Sequence, residues 1–338
     1  MTAIVKKLDV YVFVTLLSPI ICHLITNVAQ AQFVLGTPVN LGSAVNSSAG
    51  EVKPFLSDDG LTLYFNSNRD GGAGRSDIWF STRDSIESEW NQPTNFAAIN
   101  TSLGDLSPSI SLDGLSFYYD SGDPDNVTRS RILSLSRDST EDAWGPPIAL
   151  PEPIYDAVAN TYSPSMSADG LSMLFHSDRA NGEGNSDLWE ATRPSLDEPW
   201  TVNNLGPNVN TPVIESNPRL SPDRLTLIFG SNRTGGEGGL DIWMSTRESV
   251  RSDWRPATNL GPIVNTPGNE QPSQWWEPGN LLLFKSGGGL SPGLPGLPGE
   301  GDADMFYVRV VPEPNSASMI LLGLFMLVRI ARRTQYAR

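Results

Sequence analysis

The chain carries one alternating pattern five times. Short runs of strand period, LTLYFNS at 61–67, LSFYYDS at 115–121, LSMLFHS at 171–177, LTLIFGS at 225–231 and LLLFKS at 281–286, place apolar side chains at every second position. A turn precedes each run: Ser57-Asp58-Asp59-Gly60, Ser111-Leu112-Asp113-Gly114, Ser167-Ala168-Asp169-Gly170, Ser221-Pro222-Asp223-Arg224 and Trp276-Glu277-Pro278-Gly279. The first four turns lie 54, 56 and 54 residues apart, so one unit recurs. A second apolar run follows in Asp77-Ile78-Trp79, Asp187-Leu188-Trp189, Asp241-Ile242-Trp243 and Asp304-Met305-Phe306. Arg83, Arg137, Arg193 and Arg247 then each precede a tryptophan by seven residues. No stretch of these units holds a helical period.

Units of this length have room for four short strands, which predicts an all-β fold: a β-propeller of five four-stranded blades. The expected repeats are 51–104, 105–160, 161–214, 215–269 and 270–311. Residues 38–47, PVNLGSAVNS, match ATNLGPIVNT at the end of unit four, although no unit precedes them, and the last unit stops after three strands. The N-terminal segment 33–47 is therefore expected to supply the fourth strand of blade five and close the ring, covering an edge that would otherwise be open to pairing.

The glycine-rich stretches SNRDGGAGRSDIW, SDRANGEGNSDLW and SNRTGGEGGLDIW occupy the connection between the second and third strands of units one, three and four. None opens a helix or carries the spacing of a phosphate loop, so they read as tight hairpins in which glycine supplies positive φ. Within them Arg69, Arg179 and Arg233 are expected to pair with Asp77, Asp187 and Asp241. Unit two departs with DSGDPDNVTRSR, and unit five with SGGGLSPGLPGLPGEGDAD, a collagen-like run too short for a triple helix.

The unit SxDGxxLxFxSxR…DIW resembles the WD40-like, or TolB-like, propeller repeat, including versions found in peptidoglycan-associated outer-membrane proteins. The resemblance covers residues 51 to about 311. It implies a propeller fold and binding of protein or envelope components, and it supplies no catalytic residues to carry over.

The ends point to export. Lys6 and Lys7, an apolar run and Ala29-Gln30-Ala31 read as a signal peptide, 1–31, cut by signal peptidase after Ala31. Residues 32–311 form the expected propeller domain. In 312–338, Pro312-Glu313-Pro314, a hydrophobic segment and a terminal arginine cluster resemble the PEP-CTERM sorting signal, which implies processing by an exosortase-type transpeptidase in a Gram-negative-type bacterium. The segment is expected to form a transmembrane helix with its basic tail on the cytoplasmic side, holding the protein at the inner membrane in transit to the cell surface or matrix. An ordinary C-terminal anchor is the alternative.

Composition then removes function classes. The single cysteine, Cys22, lies in the signal, so the exported chain has no thiol for disulfides, catalysis or metal. His176 is the sole histidine outside it, which disfavours a histidine-rich zinc site and leaves any catalysis to carboxylates. The net charge of −15 disfavours nucleic acid as partner.

Candidate residues follow from where repeated positions converge and where the repeat breaks. Glu51, Asp105, Glu215 and Glu270, with Asn160 in unit three, precede the innermost strands and in a closed ring would surround a channel mouth. Such a ring suits Ca²⁺ or sugar hydroxyls, although each acid could equally cap its own blade. Asp120, Asp123 and Asp125 cluster in the irregular unit-two hairpin, as a calcium loop or a solvated turn. No cofactor beyond a possible Ca²⁺ is implied. Trp275 and Trp276 are a sugar-stacking pair if exposed and packing residues otherwise. His176, where other units carry Asn66, Asp120, Gly230 and Lys285, reads as a tolerated strand-end position.

The resulting expectation is an exported, non-enzymatic propeller binding a protein, polysaccharide or peptidoglycan partner. A carboxylate-dependent glycoside hydrolase or lyase and a structural component of an extracellular matrix stand as the alternatives.

Overall fold

The computed structural model describes residues 33–287 and 303–312. Ala31, Glu313, Pro314, the signal peptide, the C-terminal segment and the GLPGLPG run lie outside the described residues; of Pro312 only the backbone is described. No helix of the described residues is long and apolar enough to cross a membrane.

The described chain opens with β1 (Phe33–Leu35) and β2 (Val39–Asn40) and continues as five antiparallel sheets. Blade one holds β3 (Glu51–Leu56), β4 (Thr62–Ser67), β5 (Asp77–Thr82) and β6 (Thr94–Asn95). Blade two holds β7 (Asp105–Ile110), β8 (Ser116–Asp123), β9 (Asn126–Ser136) and β10 (Ile148–Ala149). Blade three follows with β11 (Thr161–Met166), β12 (Ser172–Ser177), β13 (Asp187–Thr192) and β14 (Thr201–Asn204), and blade four with β15 (Glu215–Leu220), β16 (Thr226–Ser231), β17 (Asp241–Thr246) and β18 (Thr258–Asn259). Blade five is built from β19 (Asn269–Trp276), β20 (Leu281–Gly287) and β21 (Ala303–Pro312), and its fourth strand is β2.

Two compact units are distinguished, Gly36–Arg309 and the remainder. The first is the five-bladed propeller. In it β2 pairs with β21, Val39 opposite Tyr307 and Asn40 opposite Phe306, so the N-terminal strand completes the last blade as its repetition of the unit-four pattern predicts. Asn46 fixes that register, accepting from the Met305 N–H at 3.0 Å and donating to its carbonyl at 3.1 Å. The same clasp recurs as Asn210 on Leu188 and Asn265 on Ile242. In the second unit β1 pairs with residues 310–312.

The core lies between neighbouring blades. Leu63, Phe65 and Trp79 of blade one pack with Trp276, Leu283 and Met305 of blade five, and Leu174 and Leu188 of blade three pack with Leu227, Phe229 and Trp243 of blade four. Each such side chain contributes roughly 1.5–3 kcal/mol of burial, and the blade–blade contact that links blade five to blade one closes the ring.

The arginine–tryptophan spacing has a simple cause. Arg83, Arg137, Arg193 and Arg247 lie 4.2–4.3 Å from the ring centroids of Trp90, Trp144, Trp200 and Trp254. Their Nε atoms donate to the carbonyl of the last turn residue: Gly60, Gly114, Gly170 and Arg224. The cation thus locks the turn between the first and second strands onto the outer edge of its blade.

The glycine hairpins require glycine for three separate reasons. Gly71 and Gly235 adopt φ of 94° and 95°, and Asn181 takes the same left-handed place at 68°. At Gly72, Gly182 and Gly236 a Cβ would strike the carboxylate of Asp77, Asp187 or Asp241. At Gly74, Gly184 and Gly238 it would strike backbone carbonyls leading into the next blade. The aspartates accept the hairpin amides, as Asp187 does from Glu183 and Gly184. The expected Arg–Asp pairing is therefore corrected: the hairpin's own N–H groups claim Asp77, Asp187 and Asp241. Arg69 and Arg233 pair instead with Glu51 and Glu215, both at 3.0 Å.

Candidate functional site

Each innermost strand bends at a bulge because it contains proline, which cannot donate to the ladder. Lys53-Pro54, Ser107-Pro108, Ser163-Pro164 and Asn217-Pro218 occupy four of the bulges, and Lys53, Ser107, Ser163 and Asn217 adopt φ of 53–59°. In blade five the proline itself, Pro272, stands one place earlier.

The bulges turn backbone N–H groups toward the preceding blade, and the second strand there answers. Ser107 N–H donates to Asn66 Oδ1 at 2.8 Å, Ser163 N–H to Asp120 Oδ1 at 2.8 Å, and Asn217 N–H to His176 Nδ1 at 3.3 Å. Opposite Pro272, which has no N–H, the corresponding residue is Gly230, which has no acceptor side chain. The position expected to be a tolerated strand end thus stitches blades one to two, two to three and three to four, whereas its blade-five counterpart, Lys285, has no acceptor to offer.

The bulge side chains meet across the axis. Lys53 Nζ donates to Ser163 Oγ at 3.2 Å, Ser163 Oγ donates to Asn217 Oδ1 at 2.7 Å, and the Ser107 and Ser163 hydroxyls lie 3.1 Å apart. Burial, followed by the Arg219 charge, pushes Lys53 down to about 7. Burial also holds His176 well below the ordinary histidine value, which fits its role as acceptor, and pushes Asp120 up.

One residue beyond each bulge proline, and at the matching place in blade five, stand Phe55, Ser109, Ser165, Arg219 and Gln274. These five side chains, of four kinds, line a cavity of about 570 Å³. Gln274 continues the sheet edge of blade one, accepting from Leu56 N–H at 2.7 Å and donating to its carbonyl at 2.9 Å. Burial pushes Arg219 down to about 10, and the charge of Asp120 opposes the shift. The first turns of all five blades contribute to the walls, so Asp58, Asp59, Asp113 and Glu277 stand exposed around the opening.

The expected acid ring lies elsewhere. Glu51, Asp105, Glu215 and Glu270 are fully buried at the opposite ends of the innermost strands and are absent from the cavity wall. Each is consumed locally: Glu215 accepts from Thr211 N–H and Oγ1, Ser231 Oγ and Arg233, and Glu270 from Thr266 N–H and Oγ1 and Ser286 Oγ. Burial raises Asp105 and Glu270. Strand register makes Thr161, opposite Ser177, the blade-three counterpart; Asn160 sits one residue earlier, bonded to Asp178.

The blade-two aspartates are not brought together. Asp120 faces the axis, Asp123 is buried beside Arg131 at 3.6 Å, and Asp125 is exposed, its N–H bonded to Asp123. No group of three or more histidine, cysteine or acidic side chains among the described residues is placed to hold a metal ion. The tryptophan pair is split as well. Both contribute to the cavity wall, but Trp276 is buried and donates to the Ser57 carbonyl at 3.0 Å, wedged against blade one, whereas Trp275 is half-buried.

No protein-family model matches the chain, and no curated protein matches it in sequence. Solved structures similar to it include TolB from Acinetobacter baumannii, at 13% identity over 78% of this chain with a TM-score of 0.43. The match spans 56% of the TolB chain, little more than half its length. An α-L-arabinanase of Penicillium chrysogenum in complex with arabinobiose is similar at 10% identity, covering 82% of this chain and 98% of that one with a TM-score of 0.49. A Fusarium graminearum family-93 α-L-arabinofuranosidase is similar at 9% identity, covering 82% and 98% with a TM-score of 0.46.

Proposed function

We propose that the protein is an exported, non-enzymatic propeller that binds a protein, polysaccharide or peptidoglycan partner of the cell envelope through the axial cavity. The signal peptide and the sorting-signal resemblance support delivery to the surface through signal peptidase and an exosortase-type enzyme. The observation that carries the binding reading is the contrast on one ring position: Phe55, Ser109, Ser165, Arg219 and Gln274 present four kinds of side chain in five blades while the scaffold around them repeats. Recognition needs such one-off chemistry, and a scaffold does not.

The cavity's carboxylates suit a rim better than a catalytic pair. Asp59 Oδ1 accepts from Ser57 Oγ at 2.5 Å and from Leu61 N–H at 2.9 Å. Asp113 has the same turn geometry, and its bonds from Ser111 and Leu115 hold its carboxyl below the ordinary range. A glycosidic acid requires the reverse, a carboxyl raised so that it keeps its proton.

The test is an array of glycans and peptidoglycan fragments probed with the protein, followed by mass spectrometry of the probed material. Binding without turnover, weakened by substitution at Trp275, is the expected result. Cleaved glycan would overturn the reading in favour of a carboxylate-dependent hydrolase or lyase.

A further inference from the structure

Arg219 is 3% exposed yet forms part of the cavity wall. Its Nε donates to the Ser273 carbonyl, and its Nη1 reaches the carbonyls of Ser163 and Pro164 at 3.3 Å and of Pro218 at 2.9 Å. Its Nη2 has no hydrogen-bond partner among the described residues. Backbone oxygens from three blades therefore hold two of the three guanidinium nitrogens and leave the third unspent.

The charge of Asp120 acts on Arg219 and Lys53 without closing an ion pair on either. Neither Arg219, Lys53 nor Lys285 lies within 4.0 Å of a carboxylate among the described residues. Asp120, the acid of the axial knot, is bonded to Ser163 N–H. A single buried guanidinium thus sits beneath a rim carrying Asp58, Asp59, Asp113 and Glu277, in a chain of net charge −15. Rim arginines offset it only in part: Arg137, stacked on Trp144, keeps its charge, whereas Arg224 lies 3.3 Å from Glu190.

We infer that the cavity takes a ligand tipped by a single carboxylate, seated on Arg219 Nη2, whose body is neutral or cationic where it passes the rim. A charge-assisted hydrogen bond from a guanidinium nitrogen to a carboxylate is shorter and stronger than one between neutral groups. The C-terminus of a peptide meets both requirements, whereas a polyuronate would bring further negative charges against the acidic rim. This rests on the binding reading above and names the ligand's chemistry.

The test is calorimetric titration of the full chain with the tripeptide Lys-Ala-Ala as free acid, with its C-terminal amide, and with trigalacturonate. The free acid is expected to bind at least about tenfold more tightly than the amide, and Arg219→Lys, which keeps the charge and loses the fork, to remove most of that preference. Equal affinity for acid and amide overturns the inference, as does absence of binding by either peptide. Tighter binding of trigalacturonate than of the tripeptide overturns the ligand class. The acid–amide comparison uses the unaltered protein and does not depend on the variant folding. Glycan or peptidoglycan binding that survives Arg219→Lys would discard this inference and leave the broader reading standing.

Discussion

The two ends of the innermost strands obey opposite rules. At one end, buried acids in four blades are closed off by the same kind of partner: a serine on the second strand and a serine or threonine four residues upstream. At the other end, a phenylalanine, two serines, an arginine and a glutamine face one cavity. Repetition in a ring marks what every blade needs to fold. Variation at a position that converges on the axis marks what only the assembled ring can use.

The comparison is most strongly tested at Glu215. Replacing it with alanine leaves Arg233 without its carboxylate and several donors unsatisfied, and should cost about 3–5 kcal/mol in chemical denaturation. The folded fraction should still bind at the cavity. Loss of binding at unchanged stability would mean that the acid end is the site.

Gly184→Ala presses a Cβ onto the carbonyls of Thr211 and Val213, so stability should fall by about 1–3 kcal/mol with ligand affinity unaltered. At the cavity end the pattern inverts. Trp275→Ala should weaken binding about tenfold, near 1.4 kcal/mol, with the cooperative unfolding transition retained.

A separate, pH-linked effect belongs to Lys53, which is faced by Arg219, Asp120 and Lys285. The unfolded chain keeps this proton to near its ordinary 10.5, whereas the folded protein releases it at about 7. Between those values the unfolded state binds more protons, so stability rises with pH, by at most about 1.4 kcal/mol per unit. Lys53→Met should flatten that slope in denaturation curves taken from pH 7 to 10; an unchanged slope would show that the axial knot does not hold the proton off Lys53.

Much of the scaffold was legible because it is local and periodic. Turn, alternating strand and Asp-Ile-Trp recur at a nearly constant interval, and the match of residues 38–47 to the end of unit four located the closing strand. The acid positions were legible too, except in blade three, where a longer connection hid that Thr161 and not Asn160 stands opposite Ser177. What stayed hidden depends on partners far apart in sequence. Nothing local says that Arg219 is gripped by carbonyls of blades three and five, or that Asn66, Asp120 and His176 answer amides one blade ahead. The hairpin aspartates misled for the opposite reason. A nearby arginine was the obvious partner, yet amides three and four residues before each aspartate reach it first.

The pairing of Val39 and Asn40 with Phe306 and Tyr307 also sets an order of assembly. Blades one to four can each form from contiguous sequence as the chain emerges, but the fifth sheet draws on strands more than 260 residues apart. Its outer strand must wait, uncommitted, until nearly the whole propeller has been delivered. The ring can therefore close only once the last strand has been delivered, and any interruption before β21 leaves the first blade without its neighbour.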